Sequence, residues 1–343
     1  MQSNNCLISV IIPFYNAEKF ISSCISTLSN QEYTNFEAIF VDDGSTDGAP
    51  EKILACNDSR FQLLHQEKKG VSAARNLGLR EARGEYIAFL DVDDELDPVF
   101  LSELINAAQN HNADIVMCDY TEVYNDGQLR EVKLPWRNEK ITRREIENCL
   151  LPRMIASDHG ANNSIWGLVW RSFVKKEFWE RTHIFFDEKV TLAEDMLFLL
   201  ALYNRADSIY ILSKSLYRYN RTAQSALNAY KSDGLEISLR YHRQLISTLK
   251  REGLFENNQE RYMENKATMY TCAISNLARN PKLLNSVEGM KRLREELSAE
   301  TFDWRKCYLS KGRKISLWLL EHSFYRTLLV LYRIKEYIRM RNM

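Results

Sequence analysis

Proline and glycine are both scarce in this 343-residue chain, at 6 and 12 residues, against average usage of about 5% and 7%. That scarcity excludes collagen-like and linker-rich architectures and points to many helices. No apolar run reaches the roughly 18 residues that span a bilayer. The start, Met1 to Cys6, lacks the basic flank and small-residue cleavage site of a secretion signal. The seven cysteines contain no CxxC pair. An odd, scattered set fits buried thiols in a reducing compartment better than a disulfide framework or a zinc site. No glycine occurs before Gly44, and GKS or GKT is absent, which excludes a dinucleotide-binding glycine loop after the first strand and a P-loop. Net charge is missing too, with 46 basic and 46 acidic residues, but the balance hides a split. Residues 305–343 hold ten Lys/Arg and two Glu, a net of +8, so residues 1–304 carry 36 basic and 44 acidic residues, a net of −8. The expected location is the cytoplasm or the inner membrane face, with no nucleic-acid partner.

What is present is an alternation of strand-like and helix-like segments. Residues 7–14 (LISVIIPF) form a β-branched run, and 17–30 carry apolar residues at helical spacing. Further strands are expected at 36–41, 60–64, 86–90 and 113–118, with helices at 70–83 and after Pro98. Such alternation predicts an α/β fold whose mostly parallel sheet is covered on both faces. Residues 166–170 read as a strand, 194–204 as a helix and 208–212 as a short strand. After about 222 helical patterns dominate. The expected domains are 1–220, built on the sheet, and 221–343, helical.

In a parallel sheet the loops leaving the carboxyl ends of the strands form the ligand crevice. Three such loops are rich in acids and small residues: Pro13-Phe14-Tyr15-Asn16, Asp42-Asp43-Gly44-Ser45-Thr46-Asp47 and Asp91-Val92-Asp93-Asp94. Taken singly, each reads as well as a set of caps and turn formers. Together they put several carboxylates on one crevice, which repel unless a cation or a donor-rich ligand joins them. Mg²⁺ and Mn²⁺ prefer oxygen ligands and are commonly held by one or two carboxylates plus substrate phosphates. In an extended segment Asp91 and Asp93 face the same side.

The runs ISVIIPFYNAEKFI, VDDGSTDG and GVSAARNLGLREARGEYIAFLDVDD resemble the family 2 glycosyltransferases of bacteria, enzymes of the GT-A fold. The resemblance covers residues 7–120 and fades towards 215. It implies that Pro13 and Tyr15 line a nucleotide base, and that Asp43 hydrogen-bonds uracil with Asp42 nearby. Arg75 and Asn76 would lie by the base and diphosphate. The DVD block matches the family's DxD motif, with Asp91 and Val92 at the ribose or sugar and Asp93 on a Mn²⁺ or Mg²⁺ ion. Asp94 is a second metal candidate. The family also needs a general base past this block, and Glu194-Asp195 opening a helix fits. Asp195 is assigned as base and Glu194 as its partner or substitute. Paired carboxylates at a helix N-terminus can have their pKa values pushed apart, leaving one ionised near neutral pH.

The implied activity is inverting transfer of one sugar from a UDP-sugar to a hydroxyl of a glycan, a lipid-linked glycan or a glycoprotein. No QxxRW motif is present, which argues against processive synthesis. A catalytically inactive scaffold or partner subunit, and a sugar nucleotidyltransferase, remain as alternatives. Among residues that could touch sugar, His159 and His183 read more simply as structural, and Trp166, Trp170, Tyr217 and Tyr219 as core. In the basic tail, Leu317, Leu320, Phe324, Thr327, Leu331, Ile334 and Ile338 alternate at spacings of three and four. They predict one helix of three heptads, free to pack on its own domain, on a second copy or on an anionic membrane surface.

Overall fold

The computed structural model describes residues 7–158, 163–221, 231–280, 282–298 and 303–341. The described residues form two compact units. One runs up to Leu151 and resumes from Ile165 to the end of the last strand, and the other joins 152–164 to the residues after 231.

The first unit is built on ten strands: β1 Ile8–Phe14, β2 Phe36–Asp42, β3 Phe61–His65, β4 Tyr86–Phe89, β5 Glu95–Leu96, β6 Ile115–Tyr124, β7 Leu129–Val132, β8 Glu139–Ile141, β9 Ser172–Lys175 and β10 Ile209–Arg221. The sheet order is β3-β2-β1-β4-β9-β6-β10-β5, with β7 beside β6 and β8 beside β10. The longer ladders are parallel: β1 with β2 and β4, β2 with β3, and β6 with β10. Short antiparallel strands fill the remaining places. Every residue of β1 and β2 is buried, as expected for strands covered on both faces. Its longer helices are α1 Ile21–Ser29, α2 Ala49–Ala55, α3 Val71–Glu81, α4 Phe100–His111, α5 Lys176–Thr182 and α6 Glu194–Tyr203.

Two local features position the site. Helix α3 lies close against β1 because Gly78 has no side chain, a Cβ there falling 2.5 Å from Ile11 Cγ2. That contact sets the height at which Arg75, one turn earlier, meets the carboxyl edge of the sheet. Helix α6 is buried at every position from Met196 to Tyr203, so its first-turn acids are its only charged groups.

The segment expected as a strand at 166–170 is instead irregular up to Leu168 and then turns as a 3-10 helix over Val169–Arg171. The short strand expected at 208–212 is the start of the much longer β10, whose pairing with β6 is irregular between Leu212 and Tyr217.

The second unit holds α7 Gly234–Arg251, α8 Gln259–Arg279, α9 Leu283–Ser298, α10 Lys311–Glu321 and α11 Tyr325–Arg341. Segment 152–164 is tied to α8 by charge. Asp158 accepts from Arg153 Nε at 2.9 Å and Arg261 Nη2 at 2.5 Å, and the Arg261 hydrogen bond, opposed by burial, helps to lower its pKa to about 2. The basic tail is two helices and not one: Ser323, at φ 63°, turns the chain between them. Leu317, Leu320, Leu328, Leu329 and Tyr332 enter the core of this unit, whereas Phe324, Leu331, Ile334 and Ile338 of the expected seam stay exposed. A three-heptad seam fails because the turn resets the helical phase. No helix among the described residues is long and apolar enough to cross a membrane.

Candidate functional site

The parallel register aligns Phe14 with Asp42 and Ile11 with Phe89, so the ends of β1, β2 and β4 deliver their loops to one edge. The first two loops are bonded together: Asp43 N donates to Phe14 O at 2.9 Å, Asn16 N to Ser45 Oγ at 2.9 Å and Thr46 N to Asn16 Oδ1 at 2.8 Å. Asn16 accepts a left-handed φ of 48° to do so, a conformation asparagine tolerates better than most residues. Tyr15 stands open at 41% exposure, with Lys68 Nζ 3.6 Å from its ring centroid. Pro13 is buried within β1.

Asp42 and Asp43 are both buried and serve different ends. Asp42 accepts from Ser45 N and pairs with His65 Nδ1, each at 2.8 Å. Burial raises its pKa, but the bonds from Ser45 and His65 win and hold it below the usual range. Asp43 receives Gln66 Nε2 at 2.7 Å and the backbone N–H groups of Lys69 and Gly70 at 2.8 and 2.9 Å. It thereby fixes the entry to α3.

The centre of the site is Arg75, which is 3% exposed. Its Nη2 donates to Asp91 Oδ1 at 2.9 Å, and its Nη1 to Asp195 Oδ1 at 2.6 Å and Glu194 Oε1 at 3.3 Å. Burial alone would lower its pKa, yet the three carboxylates raise it. Asp195 Oδ2 also accepts from Val169 N at 3.3 Å. Burial pushes Asp195 up to about 7 against the pull of Arg75, with Glu194 and Asp91 adding to the rise. One guanidinium thus joins the loop after β4 to the first turn of α6.

Residues 9–163 match the family model described as glycosyl transferase family 2. A cholesterol galactosyltransferase of Borreliella burgdorferi is 30% identical over 262 residues, 74% of this chain and 71% of that protein. The chain belongs to glycosyl transferase family 2. The glycosyltransferase EpsJ of Bacillus subtilis is 33% identical over 221 residues, 64% of this chain, and the match spans 62% of EpsJ's length. The fold is that of the Staphylococcus aureus TarS fragment 1–349 solved with UDP, at a TM-score of 0.63 and 22% identity, covering 96% of this chain and 91% of that one. This is the GT-A architecture.

Within this family 2 chain the DVDD loop divides its acids. Asp94 is 1% exposed, and both its oxygens are used: Oδ2 accepts from Tyr217 OH and Oδ1 from Asn220 N, each at 2.8 Å. The same tyrosine oxygen accepts from Asp91 N at 3.2 Å. Asp94 therefore anchors its loop to β10, a placement that speaks against the second metal role expected for it. Asp93 makes no hydrogen bond or ion pair through its carboxylate to another described residue, and burial and Asp91 raise its pKa. Asp91 is 30% exposed at its side chain, and Val92 between them is half-buried. An unpaired carboxylate under repulsion from its neighbour has the chemistry of a hard-cation ligand, so Asp93 fits Mn²⁺ or Mg²⁺, while Asp91 keeps one oxygen on Arg75. No cluster of three or more ligating side chains occurs among the described residues.

Asn76, expected by the base and diphosphate, is 2% exposed and its amide is engaged within the protein. Its amide accepts from Phe186 N at 2.9 Å and donates to Phe186 O at 2.9 Å and Glu188 Oε1 at 3.0 Å. It clamps the segment before α6. Trp170 and Tyr217 are buried and stack with centroids 4.0 Å apart, whereas Trp166 is 68% exposed. His183 caps α5 in a left-handed conformation, and His159 lies outside the described residues. Two positions, Ala193 and Gly167, join the site without a sequence pattern, and Tyr217, expected as core, has a further role. Ala193 holds φ 56° just before the acid pair, a conformation costly for a residue with a Cβ. Gly167 packs on α6, where a Cβ would lie 2.6 Å from Met196 Cα, and Tyr217 supports the DVDD loop. None has a local sequence signature, because each depends on chain brought from elsewhere.

Proposed function

We propose that this chain transfers one sugar from a UDP-sugar to a hydroxyl of a glycan, glycolipid or glycoprotein, inverting the anomeric configuration. The observation that carries the reading is the Arg75 cluster, which holds the DxD aspartate and the acid pair of α6 on one buried guanidinium. Asp195 takes the proton of the acceptor hydroxyl as its oxygen bonds to the anomeric carbon. The bond from that carbon to the diphosphate oxygen breaks with its electron pair, and UDP leaves. Attack opposite the leaving group inverts the centre. Arg75 keeps Asp195 oriented and Glu194 beside it, while burial leaves Asp195 basic enough to receive a proton near neutral pH. Asp93, with Asp91 beside it, would hold Mn²⁺ or Mg²⁺, and the bound ion would supply neutralisation of charge on the diphosphate.

The open ring of Tyr15 supports base stacking, and the UDP bound in the TarS structure supports a uridine donor. The Borreliella relative, named for galactosyl transfer to cholesterol, supports an acceptor borne on a lipid. Trp166, exposed one residue before the Gly167–Met196 contact, is the ring available to an acceptor sugar. UDP release measured across a panel of UDP-sugars with Mn²⁺ tests the reading. One donor is expected to turn over at least ~10-fold faster than the others; no release from any of them favours the scaffold reading instead. Trp166→Ala is expected to raise the acceptor KM by ~10-fold with the donor KM unchanged, as loss of one stacking ring should; an unchanged acceptor KM removes Trp166 from the site.

A further inference from the structure

Helix α11 has two apolar faces. Leu328, Leu329 and Tyr332 point into the core of the helical unit. Val330, Leu331, Ile334, Tyr337 and Ile338 are 47–55% exposed and recur at three- and four-residue steps, which places them in one stripe on the opposite side of the helix. By the same periodicity Arg326 borders the stripe on one edge and Lys335 on the other, while Arg333, on the Arg326 side, donates to the carbonyls of Ala278 and Asn280 at 3.0 and 2.9 Å. By sequence α11 holds five basic residues, Arg326, Arg333, Lys335, Arg339 and Arg341, and one acid, Glu336. In the same unit, Trp318 and Phe324 are exposed and stacked with centroids 5.7 Å apart.

We propose that this face of α11 docks on an anionic membrane surface. An apolar stripe edged by Arg326 and Lys335, with the ring of Tyr337 in it, is the pattern of a helix that lies in the plane of a lipid interface. That ring suits the headgroup layer, where an amphipathic side chain keeps one end apolar and the other wet. Charge decides among occupants. A second copy presenting the same face would set two net-positive helix edges against each other, which disfavours pairing, whereas anionic headgroups complement them. No described helix inserts across a bilayer, so the contact is a surface one. The proposal deepens the functional reading, because a lipid-borne acceptor resides on such a surface, and rests on that reading only for its purpose; the contact is measured without any transfer.

The test is vesicle flotation of the full chain, with phosphatidylcholine alone and with phosphatidylglycerol added, beside light scattering for mass. The full chain is expected to float with anionic vesicles at least ~10-fold more than with neutral ones, and to release as salt rises. A Leu331→Ser, Ile334→Ser, Ile338→Ser variant, with unchanged circular dichroism and unchanged UDP release, is expected to lose flotation. Failure of the full chain to float, or equal flotation of the variant, overturns the proposal. A dimer that becomes monomeric in the variant, without flotation, assigns the face to a second copy and also overturns it. Failure of the donor panel would leave the flotation result standing, so the two readings fail separately.

Discussion

Burial and the neighbouring Asp91 hold the Asp93 carboxyl above its ordinary range. A carboxyl whose pKa is raised on folding binds more protons in the native than in the unfolded state between the two values, so stability falls as pH rises through that window. At neutral pH, beyond the ordinary carboxylate range, the charge on Asp93 is a cost in the metal-free protein. Asp93→Asn is therefore expected to raise Tm by ~2 °C or more in EDTA, to lose the stabilisation that Mn²⁺ with UDP gives the parent, and to abolish turnover. A lower Tm together with retained turnover contradicts the assignment. Asp195 is pushed up to about 7 by burial, and it acts as base only when ionised. Log kcat/KM is accordingly expected to fall by about one unit per pH unit below ~7, measured as UDP release under saturating metal. A flat profile down to pH 5 excludes Asp195, with this pKa, as the base. The two acids were legible as a DxD block and a helix-opening pair, but their division of labour was not. Whether a carboxylate is free, like Asp93, or used up, like Asp94 between Tyr217 and Asn220, depends on a strand more than 100 residues away.

Helix α6 shows what one element needs from its neighbours. Its first turn carries the acid pair, its N-terminal flank holds Ala193 in a left-handed conformation, and the 165–169 segment lies against it through Gly167. A methyl group at Gly167 meets the Met196 backbone, which a rotamer change cannot relieve. Gly167→Ala is expected to cost about 1–3 kcal/mol of stability, as overpacking does, and to lower turnover by at least ~10-fold through displacement of Asp195. Thermal melting and UDP release check both, and an unchanged kcat at reduced Tm would show that the contact supports the fold alone. The helix itself was readable from its apolar run and opening acids. The 166–170 segment reads as a strand because Trp and Val are strand formers by propensity, while its actual path is set by packing on α6 and by the Val169–Asp195 bond, a case of tertiary context overriding local preference.

For the whole molecule, the α/β alternation and the three acid-rich loops anticipated the sheet unit, because strand burial and turn chemistry are local properties. The placement of 152–164 with the helical unit was not legible, since it depends on Arg261 and Asn265 reaching back to Asp158 and Ile155. The basic tail was legible in charge and misread in shape, since one turn at Ser323 divides its apolar residues between a core and a surface. The central claim is that Asp195, held by Arg75, removes the acceptor proton for a donor bound across the DxD loop. The most direct measurement compares Asp195→Asn with the parent chain for UDP release at saturating donor and for UDP affinity by calorimetry. The account predicts that turnover falls by ~10²-fold or more while the UDP Kd stays within about twofold, under half a kcal/mol. Turnover retained in Asp195→Asn, or lost in Glu194→Gln with Asp195→Asn active, would contradict it.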